Sequence, residues 1–161
     1  MKQITVLGIG NILMQDEGFG VRVVEKFLRQ YSVPSNVQVL DGGTLGMELL
    51  KFLLGTDHLI LVDAVAGELP PGSIYQFQND EVKAYFKEKV SMHELGIQDV
   101  LAVMDVMEKP AKEIRIVGVQ PLTVDVGLEM TPAVTQRVDE VIEKILLVLE
   151  EWQVKVVRLG E

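Results

Sequence analysis

Acidic side chains follow three predicted strands of this chain. Glu17 lies in the loop after the first predicted strand, Asp41 directly follows the second, and Asp63 closes the third. Because ligands of open α/β sheets bind beyond the carboxyl ends of the strands, we expect these carboxylates to meet at one edge. Neighbouring carboxylates repel one another unless a cation or bound protons neutralise them. The pattern therefore favours a cation site.

Each of these acids also has a structural alternative. Asp41 could form a turn, Asp63 could end a strand, and Glu17 could favour the amino terminus of a helix. Taken singly, each position fits the structural role better. Their convergence at one edge favours a shared function.

The chain has two histidines, and strand geometry separates them. His58 opens the third predicted strand, roughly 16 Å from Asp63 at about 3.3 Å per residue, with its side chain on the opposite face of the sheet. We therefore predict a structural role for His58. His93 lies in a glycine-bounded turn before a predicted helix, where it could reach over the carboxyl edge. Two carboxylates and one imidazole could hold nickel, zinc, manganese or iron, and ligand type does not choose among them.

Strands and helices alternate along the sequence. The predicted strands cover residues 3–7, 36–40, 58–65, 73–78 and 113–120. Apolar spacing predicts helices over 18–31, from Met47 to Leu54, and around 98–107. We predict a last helix that is capped by Thr131, has Pro132 in its first turn, and carries a buried stripe comprising Val134, Val138, Val141, Ile145, Leu149 and Trp152. The alternation predicts a single α/β domain with a doubly wound, mostly parallel sheet and helices on both faces.

Composition limits the partners of the protein. The 161 residues fit one domain, 1–161, and the formal charge of -9 opposes binding to nucleic acid. The apolar runs are far shorter than the roughly 20 residues of a membrane span. The absence of cysteine excludes thiolate metal sites and a cysteine nucleophile, and it suits a reducing cytoplasm. We expect a cytoplasmic protein without membrane or nucleic-acid partners.

A nucleotide-binding domain is the first alternative to a cation site. Gly8, Gly10 and the acid after the second strand belong to the dinucleotide fingerprint. Leu13 stands where that fingerprint requires its third glycine. Asp16 and Glu17 would also face the pyrophosphate, which disfavours an anionic ligand.

Five segments together resemble the nickel-iron hydrogenase maturation endopeptidases, the family that trims the C-terminus of the hydrogenase large-subunit precursor. They span nearly the whole chain in the family's order: "GIGNILMQDEGFGVRVVE", "LDGGTLGMELL", "HLILVDAV", "SMHELGIQDVL" and "IVGVQP". Each segment is weakly specific by itself. Five at compatible spacing are much more specific.

The resemblance implies a metal site formed by Glu17, Asp63 and His93. Family members have Asp or Glu at the first of these positions, so Glu17 fits the pattern. The shared "DGGT" segment implies substrate recognition beside the metal, and its residues are Asp41, Gly42, Gly43 and Thr44.

The same resemblance implies a partner and a substrate-borne metal. The partner is the large-subunit precursor of a nickel-iron hydrogenase, and nickel already inserted in it marks a finished substrate. Cleavage then releases a short C-terminal peptide. Another divalent metal could replace nickel in the isolated protein, which we expect to be a monomer.

The group that breaks the peptide bond is harder to identify. The sequence has no cysteine, no G-x-S-x-G elbow and no H-E-x-x-H helix, and Ser91 near His93 does not make a triad. An aspartyl-type mechanism, in which Asp41 activates water beside a metal-polarised carbonyl, is our hypothesis. A nickel-binding maturation chaperone without hydrolysis is the second alternative function.

Overall fold

The computed structural model describes residues 1–88 and 92–160, with the side chains of 88 and 92–95 outside the described set. Within these ranges the strands are β1 (Ile4–Ile9), β2 (Tyr31–Ser32), β3 (Val37–Gly43), β4 (His58–Ala64), β5 (Ile74–Gln78), β6 (Glu113–Val119) and β7 (Val157–Arg158). The helices are α1 (Phe19–Gln30), α2 (Leu50–Leu53), α3 (Asp80–Glu88), α4 (Met92–Val106), α5 (Pro132–Thr135) and α6 (Val138–Glu151). Short 3-10 helices precede α1 and α2, at Gln15–Gly18 and Met47–Leu49.

The main sheet has the strand order β3-β1-β4-β6-β5. Strand β1 pairs in parallel with β3 and β4, and β4 pairs in parallel with β6. Strand β5 is an antiparallel edge strand, and β2 and β7 form a separate antiparallel pair. The predicted doubly wound, mostly parallel sheet is confirmed.

Alternating side chains of the strands pack into two cores on opposite faces of the sheet. In β1, Ile4 and Val6 belong to the core that α1 and α6 cover, whereas Leu7 and Ile9 belong to the core that α2, α3 and α4 cover. This alternation follows from the period of two in a strand. The result is a three-layer arrangement whose sheet is buried on both faces.

The last helical segment differs from its prediction. Its apolar stripe is buried as predicted, but the segment forms two helices, α5 and α6. Thr131 is the N-cap residue of α5 and Pro132 lies in the first turn, as predicted, but the side chain of Thr131 makes no capping hydrogen bond. Its hydroxyl donates instead to Oδ2 of Asp16 at 2.8 Å. A charged acceptor far away in sequence outcompetes the local backbone.

Two further differences from the predicted bounds affect the carboxyl edge of the sheet. Strand β3 continues through Asp41 to Gly43, although the sequence predicted that it ended before the glycines. Helix α4 begins at Met92, about six residues before its predicted start, and therefore includes His93. Over the described residues, no helix is long and apolar enough to cross a membrane.

Candidate functional site

The carboxyl edge of the central strands is built around β1. Glu17 lies in the 3-10 helix between β1 and α1, and Asp63 is the penultimate residue of the neighbouring β4. Helix α1 packs closely on this edge, because a methyl group on Gly20 would overlap the carbonyl oxygen of Val62. Both acids are therefore held by elements fixed to the ends of two adjacent parallel strands. Strand β1 lies between β3 and β4, and the chain runs from β1 to β3 on one side before it returns to β4 on the other. The strand order therefore reverses at β1, and open α/β sheets bind ligands at such a point.

Gly10 is the point at which the loop after β1 meets the carboxyl ends of β3 and β4. Its amide donates a hydrogen bond to the carbonyl oxygen of Gly43 at 2.8 Å. A methyl group on Gly10 would overlap the carbonyl oxygen of Glu17 and would lie 3.7 Å from Oδ1 of Asp63. With a φ of 135° as well, the position favours glycine on both steric and conformational grounds. The glycine thus allows the backbone of Glu17 and the carboxylate of Asp63 to approach the same point.

Asp63 presents a buried carboxylate at this junction. Only 4% of the residue is exposed, and Oδ1 accepts a hydrogen bond from the amide of Ala64 at 2.8 Å. By strand alternation its side chain shares a face with Leu59 and Leu61, the face that α4 covers.

The "DGGT" segment reaches the junction through a β-bulge. Gly8 pairs with Asp41 while Ile9 pairs with Gly43, so Gly42 is the additional residue on β3. Oδ1 of Asp41 accepts a hydrogen bond from the amide of Gly43 at 2.9 Å, which stabilises the distortion. The carbonyl of Gly43 is thereby directed at Gly10.

Asp41 and Thr44 are exposed, Gly42 is buried, and Gly43 is half-buried. The bulge therefore places two exposed polar side chains on either side of the segment that contacts Gly10. The predicted role of the segment in substrate binding stays a prediction.

His93 lies in the first turn of α4 and not in the predicted turn before the helix. Its side chain and all of Ser91 fall outside the described residues. Gly96, three residues later, shows where this end of α4 packs: a methyl group there would lie 3.1 Å from Cα of Gly46 and 3.2 Å from the carbonyl oxygen of Leu45. The backbone thus brings the amino end of α4 against the loop that follows the "DGGT" segment.

Among the side chains that the structure describes, no group of three or more His, Asp or Glu is close enough to hold a metal ion. Because the imidazole of His93 lies outside that set, the ligand set of Glu17, Asp63 and His93 stays a prediction.

Asp16 has a role that the sequence did not reveal. It is fully buried, and its Oδ2 accepts hydrogen bonds from the amides of Leu122 and Thr123 at 2.9 and 3.1 Å and from the hydroxyl of Thr131. Its Oδ1 accepts from the amide of Thr131 at 2.8 Å. Asp16 therefore ties the loop after β6 to the loop after β1 and is directed away from any ligand at the edge. Of the two adjacent acids, only Glu17 keeps the electrostatic argument against an anion.

His58 lies on the opposite face from Asp63, as predicted. Its ring is 4.7 Å from that of Trp152 and nearly perpendicular to it, and Nε2 is 3.3 Å from Oε2 of Glu113. Burial is the largest cause that lowers the pKa of His58, and the positive charge of Lys2 lowers it further. The negative charges of Glu113 and Asp57 oppose this shift. Its contacts are those of a structural residue at the amino end of the strand.

Comparison with known proteins decides the family. The model of the HycI hydrogenase maturation protease family matches residues 21–148. The chain belongs to this hydrogenase maturation protease family. This protease is 44% identical over 158 residues to the hydrogenase expression/formation protein HupD of Bradyrhizobium diazoefficiens, covering 97% of this chain and 82% of that relative. It is 39% identical over 156 residues to the hydrogenase 2 maturation protease of Escherichia coli, covering 96% and 95% of the two chains.

Solved structures agree with this assignment. The hydrogenase maturating endopeptidase HybD from Escherichia coli superposes with a TM-score of 0.93 at 39% identity, over 97% of each chain. The hydrogenase maturation protease HybD from Thermococcus kodakarensis gives 0.76 at 26% identity, over 91% of this chain and 98% of that one. The predicted family and its hydrolase activity are confirmed, in preference to a nucleotide-binding domain or a chaperone without hydrolysis.

Proposed function

We propose that this protease removes the C-terminal extension of a nickel-iron hydrogenase large-subunit precursor after nickel has been inserted. Nickel enters the site with the substrate and is recognised by Glu17, Asp63 and His93. Family membership supports the substrate class. The observation that supports the place of recognition is the junction at Gly10, where the backbone of Glu17 and the carboxylate of Asp63 approach one point.

The donor chemistry of the proposed set suits nickel. Carboxylate oxygens and an imidazole nitrogen form a borderline-hard set that binds first-row divalent metals and leaves coordination positions for the precursor. The affinity for the precursor then depends on whether the precursor carries nickel, so the protease distinguishes nickel-loaded from nickel-free precursor.

We assign the activation of water to Asp41 in this proposal. Its carboxylate is exposed beside the junction, and the bulge holds its position through the amide of Gly43. A general base must lie within hydrogen-bond reach of the attacking water, and an exposed carboxylate next to the metal can meet that requirement. The precursor's scissile carbonyl would bind on the metal side of the same water.

We further propose that the protease acts in the cytoplasm as a monomer. The absence of cysteine suits a reducing compartment. Sedimentation of the purified chain would test the oligomeric state, and fractionation of cells would test the compartment.

The proposed function is tested by incubating the protease with nickel-loaded and nickel-free precursor and measuring the masses of the products. We expect one shortened precursor and one released C-terminal peptide with the loaded substrate, and no cleavage without nickel. Equal cleavage of both forms would refute nickel recognition. Tight binding of loaded precursor without peptide release would refute hydrolysis of this substrate and favour a chaperone.

A further inference from the structure

The loop after β6 exposes apolar side chains at every second position. The alternating residues are Leu122, Val124, Val126 and Leu128, and all of them are exposed to solvent. Val126 is 85% exposed and Leu122 is 59% exposed. Contiguous apolar residues on a protein surface commonly mark a site of interaction with another molecule.

Residues between these apolar positions fix the loop to the rest of the protein. The amide of Thr123 donates to the buried Asp16, and the amide of Gly127 donates to the carbonyl oxygen of Leu13 at 2.8 Å. The amide of Gln15 donates in return to the carbonyl oxygen of Gly127 at 2.9 Å. The backbone of the loop is thus bonded to the protein while its apolar side chains face solvent.

The same contacts attach this surface to the 3-10 helix that carries a proposed nickel ligand. Asp16, which accepts the hydrogen bonds from the loop, immediately precedes Glu17, and both lie in the 3-10 helix Gln15–Gly18. Leu13 is also exposed and lies next to Gly127 through their shared hydrogen bond. An apolar surface is therefore fixed to the segment 13–17, which also contains Glu17.

We propose that Leu13 and the apolar residues of this loop, Leu122, Val124, Val126 and Leu128, form the docking surface for the precursor protein. This inference rests on the proposed function and adds the surface that recognises the body of the substrate. The matching surface of the precursor is apolar and flanked by basic residues, because exposed Asp125 and Glu129 lie among the apolar side chains.

The negative charge of this surface disfavours a membrane or a second copy of the chain as its occupant. An anionic membrane would be repelled by Asp125, Glu129 and the net charge of -9. A second copy of the chain meeting this surface across a two-fold axis would bring the same two acids together. Neither objection applies to a protein partner with basic side chains at the rim.

The test compares Val126→Asp and Leu122→Ser with matched controls. Val106, the last residue of α4, is 83% exposed, and Leu147 on α6 is 61% exposed. Val106 lies at the far end of a helix about 21 Å long, towards the start of β6 and away from the loop. Leu147 lies beside Gln76 of β5 and Arg115 of β6 and not beside the loop. Val106→Asp and Leu147→Ser therefore repeat the same chemical changes at similar exposure outside the proposed surface.

Steady-state cleavage of nickel-loaded precursor is measured for all four variants and the wild type, with thermal melts to verify folding. We expect KM to rise roughly tenfold or more for Val126→Asp, since a charge would be buried in an apolar contact, with kcat changed by less than about twofold. Leu122→Ser should raise KM less, and both controls should match the wild type. Unchanged KM in both loop variants, or an equal rise in the controls, would overturn the proposal.

Two further measurements separate the alternatives. If the wild-type protease sedimented as a dimer that Val126→Asp dissociates, the surface would be assigned to self-association and the proposal would be wrong. Binding of the wild type to vesicles of anionic phospholipid, lost in Val126→Asp, would equally overturn it. Failure of the proposed function itself is distinguishable, because the wild type would then leave loaded precursor uncut.

Discussion

Two adjacent carboxylates, Asp16 and Glu17, have different environments at the edge of the sheet. Asp16 is fully buried and accepts hydrogen bonds from a loop more than a hundred residues away, whereas Glu17 remains partly exposed at the junction with Gly10. Residue type and spacing could not distinguish them, because the donors to Asp16 are distant in sequence.

Replacing Asp16 with Asn should destabilise the protease by about 2–3 kcal/mol, because an amide accepts through one oxygen only and turns its NH2 group towards other donors. For a chain of this size, the melting temperature should fall by roughly 5–10 °C. Asp139→Asn is the control, since Asp139 pairs with Lys26 at an exposed position and should contribute less than about 1 kcal/mol. Equal shifts in melting temperature for the two variants would contradict the role of Asp16 in holding the loop after β6.

Replacing His93 with Ala should abolish cleavage of nickel-loaded precursor and leave the melting temperature nearly unchanged. The change removes the nitrogen donor of the proposed set, and Ala is well suited to the first turn of α4. Cleavage assays and thermal melts measured together separate activity from stability. Cleavage at the wild-type rate would eliminate His93 from nickel recognition.

Replacing Asp41 with Asn should leave the fold intact, because the amide oxygen can still accept the hydrogen bond from Gly43. We expect either slower cleavage or a relaxed requirement for nickel, since the charge beside the site is lost while the shape is kept. The measurement is cleavage of loaded and nickel-free precursor side by side. A variant with both wild-type rate and wild-type nickel dependence would remove Asp41 from the mechanism.

Among the secondary elements, the loop after β1 and the carboxyl ends of β3 and β4 depend on one another at Gly10. A side chain on Gly10 would displace the carbonyl of Glu17 and disturb the approach to Asp63. We therefore expect Gly10→Ala to lose both stability and cleavage activity.

Gly55→Ala is the matched control for this substitution. Gly55 also has a positive φ, of 91°, but a methyl group there would meet no atom within 4 Å. It should cost about 1–2 kcal/mol from backbone strain alone and keep full activity. Denaturant unfolding and precursor cleavage measure the two effects, and an active Gly10→Ala protein would show that the junction tolerates displacement.

Local patterns predicted most of the elements that position the site. Strands β1, β4 and β6 and helix α1 are carried by strong apolar periodicity, and all lie within a few residues of their predicted bounds. Helix α3 was not predicted, although Val82, Tyr85 and Phe86 stand at helical spacing and are buried in the core. The two-residue strands β2 and β7 are too short to show an apolar period. The antiparallel direction of β5 also depends on partners that the local sequence does not encode.

The candidate site was predicted unevenly for the same reason. Glu17 and Asp63 could be identified from their positions at the ends of predicted strands, because the topology of a parallel sheet brings residues at strand ends to one edge. The bulge at Gly42 and the hydrogen bonds of Asp16 depend on contacts between segments that are distant along the chain, and a single sequence does not show such contacts.

On the scale of the whole molecule, the candidate site residues and His58 lie at opposite edges of the sheet. The carboxyl edge carries Glu17, Asp41 and Asp63, whereas the amino edge carries His58 beside Glu113 and Trp152. A change at the amino edge should therefore alter folding without altering cleavage.

His58→Gln should make the protein less sensitive to acid and leave cleavage at neutral pH unchanged. The pKa of His58 is lowered by folding, so the unfolded chain takes up its proton first as the pH falls. The stability associated with neutral His58 is complete above about pH 6.5 and is lost as the pH falls through the lower folded pKa. Denaturant unfolding from about pH 7 to pH 5 should show the wild type losing more stability than the variant, and parallel losses would contradict this account.

The bulge in β3 has a second effect, on solubility. β3 is an edge strand of the sheet, and regular edge strands can pair with other chains and aggregate. The additional residue at Gly42 interrupts the regular spacing of its backbone groups, and the exposed charge of Asp41 stands at the same place. One local distortion thus directs Gly43 towards Gly10 and, at the same time, opposes the addition of a further strand.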